Sequence, residues 1–245
     1  MPRFFVPSEN IENSTVTITG DDAFHIARSL RMAAGDIITV CDMHANEHSC
    51  RLLRIRDDKC ECEILETHCG KTESPLEITL YMSYPKGDKL ETVIQKAVEL
   101  GAVRIVPFES SRCIKKPKAE KEEKQTARLL KIAEEAAKQC GRAVLPTVST
   151  PVSFSVMLNE AAKADIPLFC YEGDGTISLK EALENAKKDA KTAAVVVGCE
   201  GGFSQKEAEE AKELGLLAVG LGPRILRCET APVYALSAIS FHFEL

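Results

Sequence analysis

The stretch 195-VVVGCEGGFSQKE-207 decides the fold class, because a strand end, a glycine loop and a helix start follow one another in it. Val195–Val197 ends a short apolar run that is typical of a buried strand. Ser204 and Glu207 have the S-x-x-E spacing of a capping box, which begins the next helix. In an open α/β sheet, ligands bind beyond the carboxyl ends of the strands. The intervening glycines are therefore expected to form either a ligand-binding loop or a tight turn without a ligand.

A second glycine loop follows the next predicted strand, in 219-VGLGPRILRCETAP-232. Two such loops predict opposite walls of one slot, in which backbone groups hold a flat heterocycle and Leu221, Ile225 and Leu226 pack on its faces. Neither loop has the G-x-x-x-x-G-K-[ST] or G-x-G-x-x-G pattern, which disfavours a nucleoside triphosphate or a dinucleotide. Adenine with an uncharged or cationic tail fits better. Three charged residues are expected beside it, namely Arg224, Arg227 and Glu229.

The composition excludes several classes of protein. The chain has 245 residues, 44% of them hydrophobic, a net charge of −6 and a pI near 5.5, which argues against a strongly basic nucleic-acid binder. No stretch approaches the roughly 20 apolar residues of a membrane span, and the start does not have the pattern of a secretory signal. We expect a cytoplasmic protein without a membrane partner, whose ten cysteines are reduced thiols.

Two groups of cysteines and histidines raise the question of a metal. Neither group has the paired C-x2-C spacing of structural zinc sites, so no metal is expected and the side chains are interpreted as buried or half-buried. The two groups are Cys60, Cys62, His68 and Cys69, and Cys41, His44, His48 and Cys50.

Positive charge is concentrated in residues 112–142, which carry ten Lys or Arg against five acids, a local charge of +5. The charge pattern alone favours a solvated helix with Glu/Lys pairs along its surface. Contact with nucleic acid is the alternative interpretation.

The pattern of predicted elements changes near residue 70. Up to Cys69, short β-branched or alternating segments predict strands, and the segment 21-DDAFHIARSLRM-32 predicts one helix among them. After the linker 68-HCGKTESP-75, strands alternate with amphipathic helices as far as the C-terminus. This alternation predicts crossover connections and a largely parallel sheet. The expected fold is therefore α/β, preceded by a small β-barrel.

The two glycine loops together resemble the cofactor-binding signature of the SPOUT methyltransferases, specifically the ribosomal RNA small subunit methyltransferase E family. Further blocks match that family in order along essentially the whole chain: MPRFFV, HIARSLRMAAGD, PKGDKLETVIQKAVELGAVRIVPFESSRC and AAKQCGRAVLP. One departure is Cys199, which stands where the family loop usually has proline. Proline would pre-set the backbone angle φ, so Cys199 bears on the rigidity of the loop.

The resemblance implies an enzyme that transfers a methyl group from S-adenosylmethionine to N3 of a uridine in 16S ribosomal RNA of the small subunit. It also implies a homodimer, a PUA-like RNA-binding barrel over residues 1–70, and a SPOUT domain over residues 75–245 with a C-terminal trefoil knot. The cofactor-binding residues that it implies are Val197, Gly198, Glu200, Gly201, Gly202, Leu221, Gly222, Ile225, Leu226, Arg227, Thr230 and Ala231.

Roles in catalysis follow from the family chemistry, since N3 of uracil must lose a proton before it attacks the methyl group. Arg227 is expected to stabilise the developing anion. Glu200 is expected either to accept the proton or to orient an arginine, and Glu229 is a weaker candidate. The alternative for Arg227 is a structural ion pair with Glu229 or Glu200.

Contacts with RNA phosphates are expected from basic residues in both parts of the chain, although His25 is equally compatible with a half-buried structural role. The candidates are Arg3, His25, Arg28, Arg31, Lys86, Arg112, Lys115, Lys116 and Arg142. Three other functions stay open: ribose 2′-O-methylation of RNA, RNA binding without catalysis, and a nucleotide-binding oxidoreductase that prefers NAD.

Overall fold

The computed structural model describes residues 1–114 and 122–245. The chain divides into two compact units. The first unit comprises Met1–Glu73 and Ala137–Leu145, and the second comprises Ser74–Ala136 and Pro146–Leu245. Across the described ranges, no helix has both the length and the apolar content needed to cross a bilayer.

The first unit is built on a six-stranded, mostly antiparallel sheet in the order β1-β4-β5-β6-β3-β2, in which β1 and β4 pair in parallel. A 3-10 turn at Ser8–Asn10 and one short helix accompany the sheet. The elements are β1 (Arg3–Phe5), β2 (Ile11–Glu12), β3 (Thr15–Thr19), α1 (Gly20–Phe24), β4 (Ile37–Cys41), β5 (Asn46–Ile55) and β6 (Lys59–Cys69).

Cysteines form part of the core of this unit. Cys60 and Cys62 lie two residues apart on β6 and pack with Val16 and Ile18 of the neighbouring strand β3. Side chains two residues apart point to the same face of a strand, so the Cys-x-Cys spacing places both thiols inside. The close spacing of these cysteines thus reflects a buried sheet face.

The predicted helix over residues 21–32 is shorter in the structure. α1 continues as a π-helical turn at His25–Ser29, in which the Leu30 backbone N–H donates to the His25 carbonyl at 2.9 Å. Arg31 then adopts a left-handed φ of 51°. A residue in that conformation cannot continue a right-handed helix, so the helix ends before Arg31.

The second unit has an eight-stranded sheet in which all of the assigned pairs are parallel. Its strand order is β10-β8-β7-β13-β11-β14-β12, and β9 also pairs with β8. The elements are β7 (Glu77–Ser83), α2 (Lys89–Glu99), β8 (Ala102–Glu109), α3 (Glu122–Cys140), β9 (Thr147–Val148), β10 (Val152–Ser153), α4 (Phe154–Ala161), β11 (Ile166–Cys170), β12 (Ile177–Ser178), α5 (Leu179–Glu184), β13 (Thr192–Val197), α6 (Gln205–Glu213), β14 (Leu217–Gly220) and α7 (Thr230–Glu244). The end of α3, from Ala137, belongs to the first unit. The predicted α/β fold with a parallel sheet is confirmed.

Aromatic side chains fix the glycine loop after β13 to the core of the second unit. Phe203 directly follows the loop and is buried against Phe169 of β11, with the two ring centroids 4.3 Å apart. The Phe108 ring of β8 is parallel to the Phe203 ring, with the centroids 6.3 Å apart. Aromatic contacts at these distances stabilise beyond the area they bury. The loop therefore leaves the sheet in a defined direction.

The predicted capping box is present at the start of α6. The Ser204 side chain accepts from the Glu207 backbone, and the Glu207 carboxylate accepts from the Ser204 backbone N–H at 2.8 Å. The same buried carboxylate accepts from the Ser111 backbone N–H at 2.7 Å and from its hydroxyl at 2.8 Å. Burial by itself would raise the pKa of Glu207, but these hydrogen bonds outweigh it and lower the pKa. Glu207 thus joins the segment after β8 to α6.

Replacing Glu207 with glutamine is expected to destabilise the protein by about 2–3 kcal/mol at pH 7, because the amide NH2 would face backbone donors that now bond a charged acceptor. A lowered pKa in the folded state stabilises the protein above the unfolded pKa of about 4.3, and this contribution is lost as the pH falls through the folded value. The difference between wild type and Glu207→Gln in urea unfolding should therefore shrink below about pH 4. The exposed Glu213→Gln on the same helix is the control and should stay within about 0.5 kcal/mol. Equal stability of Glu207→Gln and wild type at pH 7 would contradict this role.

Candidate functional site

A cavity of about 880 Å³ lies at the carboxyl ends of three neighbouring strands in the second unit. The loops after β13 and β14 line two of its sides, as the sequence predicts. The third side is formed by the chain that follows β11, the strand between them.

The loop after β13 is closely packed, and this packing explains two of its glycines. Gly202 has a left-handed φ of 61° and donates its N–H to the Cys199 carbonyl at 2.9 Å. A Cβ on Gly198 would lie 3.1 Å from the Gly202 Cα. The loop therefore exposes bare backbone to the cavity, and a side chain at position 198 would displace it.

Arg112 holds the same loop through a hydrogen bond and close packing. Its Nη1 donates to the Gly201 carbonyl at 2.9 Å, and a Cβ on Gly201 would lie 3.0 Å from the Arg112 Cβ. Arg112, which was expected to contact RNA, thus also lines the cavity and holds the loop in place.

The loop after β14 carries an arginine at the mouth of the cavity. Gly222 adopts a left-handed φ of 105°, which favours glycine. The Arg227 carbonyl accepts from the Thr230 and Ala231 N–H groups at 2.8 and 2.9 Å, which begins α7. The Arg227 side chain is exposed and makes no hydrogen bond or ion pair with the residues that the structure describes.

Lys89, at the start of α2, joins the two loops electrostatically. Its Nζ lies 3.0 Å from the Glu200 carboxylate of the first loop and 3.3 Å from the Glu229 carboxylate of the second. The hydrogen bond to Glu200 is the main cause of the raised pKa of Lys89. Glu200 and Glu229 were the possible ion-pair partners of Arg227, and in the structure both bind Lys89.

Glu200 is held as a carboxylate. Burial by itself would raise its pKa, but its own backbone N–H, the Lys89 ammonium and the Lys86 backbone N–H, at 3.0 Å, outweigh it and lower the pKa. A lowered pKa makes the carboxylate a weaker base. Of the two roles considered for Glu200, the surroundings favour orientation of a neighbouring group, and that neighbour is Lys89.

The third loop, after β11, was missed by the sequence analysis. It contributes Tyr171, Glu172 and Gly173 to the cavity, and the Tyr171 N–H donates to the Val219 carbonyl of β14 at 3.0 Å. The signal in the sequence is 171-YEGDG-175, a glycine-containing segment directly after an apolar strand. Because the strand is parallel to β13 and β14, its carboxyl end lies at the same edge of the sheet.

Most of the residues predicted to bind the cofactor line this cavity, and the two predicted catalytic residues are among them. Thr230 is the exception, because it lies outside the lining at the first turn of α7. The predicted residues in the lining are Val197, Gly198, Glu200, Gly201, Gly202, Leu221, Gly222, Ile225, Leu226, Arg227 and Ala231.

Two of the arginines expected at RNA phosphates are placed differently. Arg142 is 2% exposed, and its Nε donates to the Glu73 carboxylate at 2.8 Å. Arg3 pairs with Glu47 at 3.0 Å and donates to the Arg142 carbonyl at 3.1 Å. A guanidinium that a carboxylate binds in this way is engaged within the protein. Both arginines therefore stabilise the first unit.

The other candidate RNA contacts are exposed where the structure describes them. In the first unit these are His25, Arg28 and Arg31, although Arg28 makes a bidentate pair with Asp57 at 2.9 and 2.6 Å. In the second unit they are Lys86 and Arg112. Lys115 and Lys116 lie outside the described residues.

Comparison with known proteins identifies the family. Residues 72–240 match the RNA methyltransferase domain, and residues 18–65 match the PUA domain of RNA methyltransferases. The ribosomal RNA small subunit methyltransferase E of Bacillus subtilis is 38% identical over 251 residues, covering 100% of this chain and 98% of the relative. The protein of the same name from Synechocystis sp. is 32% identical, covering 99% and 78%.

A solved structure has the same fold over nearly its whole length. It is the crystal structure of a ribosomal RNA small subunit methyltransferase E from Neisseria gonorrhoeae bound to S-adenosyl methionine, with a TM-score of 0.86 and 33% identity, covering 98% of this chain and 97% of the other. From the domain matches, the full-length identity and the shared fold, we conclude that the chain belongs to the RNA methyltransferase family of the ribosomal RNA small subunit methyltransferase E proteins.

Proposed function

We propose that this protein transfers a methyl group from S-adenosylmethionine to N3 of a uridine in 16S ribosomal RNA, within the small ribosomal subunit in the cytoplasm. One observation carries the proposal, namely that two glycine loops and an exposed arginine, Arg227, meet at one cavity at the carboxyl ends of parallel strands, and that no described residue pairs with this arginine. Family membership supports methyl transfer to RNA.

The cavity fits S-adenosylmethionine in size and chemistry. Its 880 Å³ lies within the range of small-molecule sites. The bare backbone at Gly198 and Gly202 suits an adenine ring, and the carboxylates of Glu172 and Glu200 suit a cationic donor. We assign the cofactor to the eleven lining residues named above together with the loop after β11. The sulfonium supplies an electrophilic methyl group when bound.

Arg227 acts on the uracil in this proposal. A neutral imide is a poor nucleophile, so N3 must lose its proton, and negative charge then develops on the flanking carbonyl oxygens. A guanidinium stays charged at every physiological pH and presents several donors to such oxygens. Because Lys89 binds both neighbouring carboxylates, the Arg227 guanidinium is left available for the substrate. Glu200 and Lys89 act as positioning residues that hold the two loops at a fixed separation.

Contact with RNA is assigned to each unit separately. The PUA-like barrel, residues 1–70, uses His25, Arg28 and Arg31, and the SPOUT domain, residues 75–245, uses Lys86 and Arg112 near the cavity. Support comes from the exposure of these side chains in an acidic chain. Electrostatic attraction to phosphate in such a protein depends on local patches instead of the net charge.

We also propose a homodimer formed through α7. Tyr234 and Phe241, seven residues apart on this helix, are 47% and 72% exposed, and the preceding Ile225 is 82% exposed. Residues seven apart lie on one face of a helix, so Tyr234 and Phe241 form one apolar stripe. A second copy of the chain would remove this stripe from water.

A trefoil knot is proposed for the C-terminal part of the SPOUT domain. The supporting observation is the strand order, because β14 inserts between β11 and β12 after the chain has already formed β13 on the other side of β11. α7 then packs against both α2 and α5. An experimental backbone trace of residues 166–245 tests this threading.

The proposed reaction is tested by incubating the protein with S-adenosylmethionine and either 16S RNA or small subunits from cells that lack the activity. Nucleoside analysis should show N3-methyluridine, and mapping locates the modified base. A ribose 2′-O-methyl product would overturn the base specificity, whereas RNA binding without any product would indicate a noncatalytic protein. Calorimetric titration with S-adenosylmethionine and with NAD excludes or supports the oxidoreductase.

In the methyl-transfer assay, Arg227→Ala should lower turnover by about 10²-fold or more, with a much smaller loss of affinity for S-adenosylmethionine in calorimetry. Lys180→Ala, on the exposed side of α5, is the control. Wild-type turnover in Arg227→Ala would contradict the assignment.

RNA affinity is expected to fall steeply with salt, because each neutralised phosphate releases a counterion. Arg31→Gln and Lys86→Gln should each reduce the slope of log K against log salt by about 0.7. Filter binding between about 50 and 200 mM salt measures these slopes, with Lys180→Gln as the control of unchanged slope. A flat dependence for the wild type would show that these residues are not phosphate contacts.

The dimer predicts a mass of twice 26.8 kDa in sedimentation equilibrium. The double variant Tyr234→Glu and Phe241→Glu should sediment as a monomer, since two charges would be buried in an apolar interface. Val156→Glu, at a 45% exposed apolar position on α4, should leave the mass unchanged. A dimer that survives the double variant would place the interface elsewhere.

A further inference from the structure

Two cysteines contact the same serine next to the first glycine loop. The Cys113 Sγ lies 3.1 Å from the Ser83 hydroxyl and 3.4 Å from the Ser110 backbone N–H. The Ser110 hydroxyl lies 3.5 Å from the Cys113 sulfur and 3.8 Å from the Cys199 sulfur. The two thiols therefore share one small polar cluster, although 89 positions separate Ser110 from Cys199 in the chain.

The donors around Cys113 favour its thiolate. The interaction with the Cys199 thiol contributes most, burial opposes it, and hydrogen bonds with Ser110 and Ser83 add to it, so that the pKa of Cys113 falls below its usual value. The same interaction raises the pKa of Cys199, and burial raises it further. A lowered pKa favours the thiolate, which is the form in which a cysteine reacts as a nucleophile.

The cofactor cavity gives access to one thiol of the pair. Cys199 belongs to the cavity lining, whereas Cys113 lies outside that lining with 9% of its surface exposed. Cys170 and Cys228 also line the cavity, but burial raises the pKa of each to about 12. A thiol-directed oxidant that enters the cavity thus meets one activated pair and two unreactive thiols.

We propose that Cys113 and Cys199 form a dithiol modification site that a peroxide oxidises to a disulfide, and that this bond and cofactor binding exclude each other. The Cys113 thiolate attacks one peroxide oxygen, the O–O bond breaks, and the departing oxygen takes up protons as water, which leaves a sulfenic acid. The Cys199 sulfur then attacks the sulfenic sulfur, the S–S bond forms, and a second water leaves. Two thiols and one hydrogen peroxide become one disulfide and two waters.

The disulfide would distort the first loop. Sulfur atoms in a disulfide lie about 2.05 Å apart, closer than any hydrogen-bonded pair of sulfurs, so Cys199 must move towards Cys113. The loop has little room to absorb this movement, since a Cβ on Gly198 would already lie 3.1 Å from the Gly202 Cα. The effect on S-adenosylmethionine rests on the proposed function, whereas formation of the disulfide does not. Because coupling between two sites is reciprocal, bound S-adenosylmethionine should protect the pair.

The test treats the reduced full-length protein with hydrogen peroxide, blocks the remaining thiols with an alkylating agent, and maps linked peptides by mass spectrometry without reduction. A Cys113–Cys199 peptide is expected as the main linked product, at least tenfold above any other pair. Saturating S-adenosylmethionine should slow its formation at least fivefold. The oxidised protein should bind S-adenosylmethionine at least tenfold more weakly in calorimetry, and a reducing thiol should restore the affinity.

Cys113→Ser and Cys113→Ala should abolish the linked peptide and make binding of S-adenosylmethionine insensitive to peroxide, whereas the exposed Cys69→Ser should behave as the wild type. A different main pair, or oxidation confined to single cysteines, would overturn the proposal. Formation of the expected pair with unchanged affinity would overturn the exclusion of the cofactor. If the reduced protein does not bind S-adenosylmethionine, the proposed function fails, while the peptide map still decides whether the dithiol site exists.

Discussion

The parallel pairing of β11 with both β13 and β14 is the constraint on which the site depends. Three adjacent parallel strands end at one edge of the sheet, so the loops that follow them converge on one cavity. Phe203 fixes the loop after β13 to the core, and the Tyr171 N–H fixes the loop after β11 to β14. The strand ends therefore set where the loops lie, and the glycines expose bare backbone there.

The two cations at this edge of the sheet, Lys89 and Arg227, have different surroundings. Lys89 binds Glu200 and Glu229, one from each glycine loop, and so holds the loops together. Arg227 lies in the same lining without a bound carboxylate among the described residues. One cation thus joins the two loops, and the other is the one that the proposed function assigns to the substrate.

Charged side chains inside the protein stabilise other parts of the structure. The buried Arg142 is paired with Glu73 and the half-buried Arg3 with Glu47 within the first unit, and the buried Glu207 joins the segment after β8 to α6. Each is a charged residue whose sequence context does not distinguish a surface role from a buried one. Buried charges persist when partners satisfy them, and those partners become visible in three dimensions.

The sequence by itself determined the α/β class, the parallel sheet, the capping box at Ser204 and the two glycine loops, because these depend on local periodicity and on residues a few positions apart. Tertiary structure alone decided that Lys89 binds the two carboxylates, that Arg142 is buried and Arg3 is paired with Glu47, and that Cys113 and Cys199 contact the same serine. Those outcomes depend on contacts between residues far apart in the chain, and local patterns carry no information about such distances.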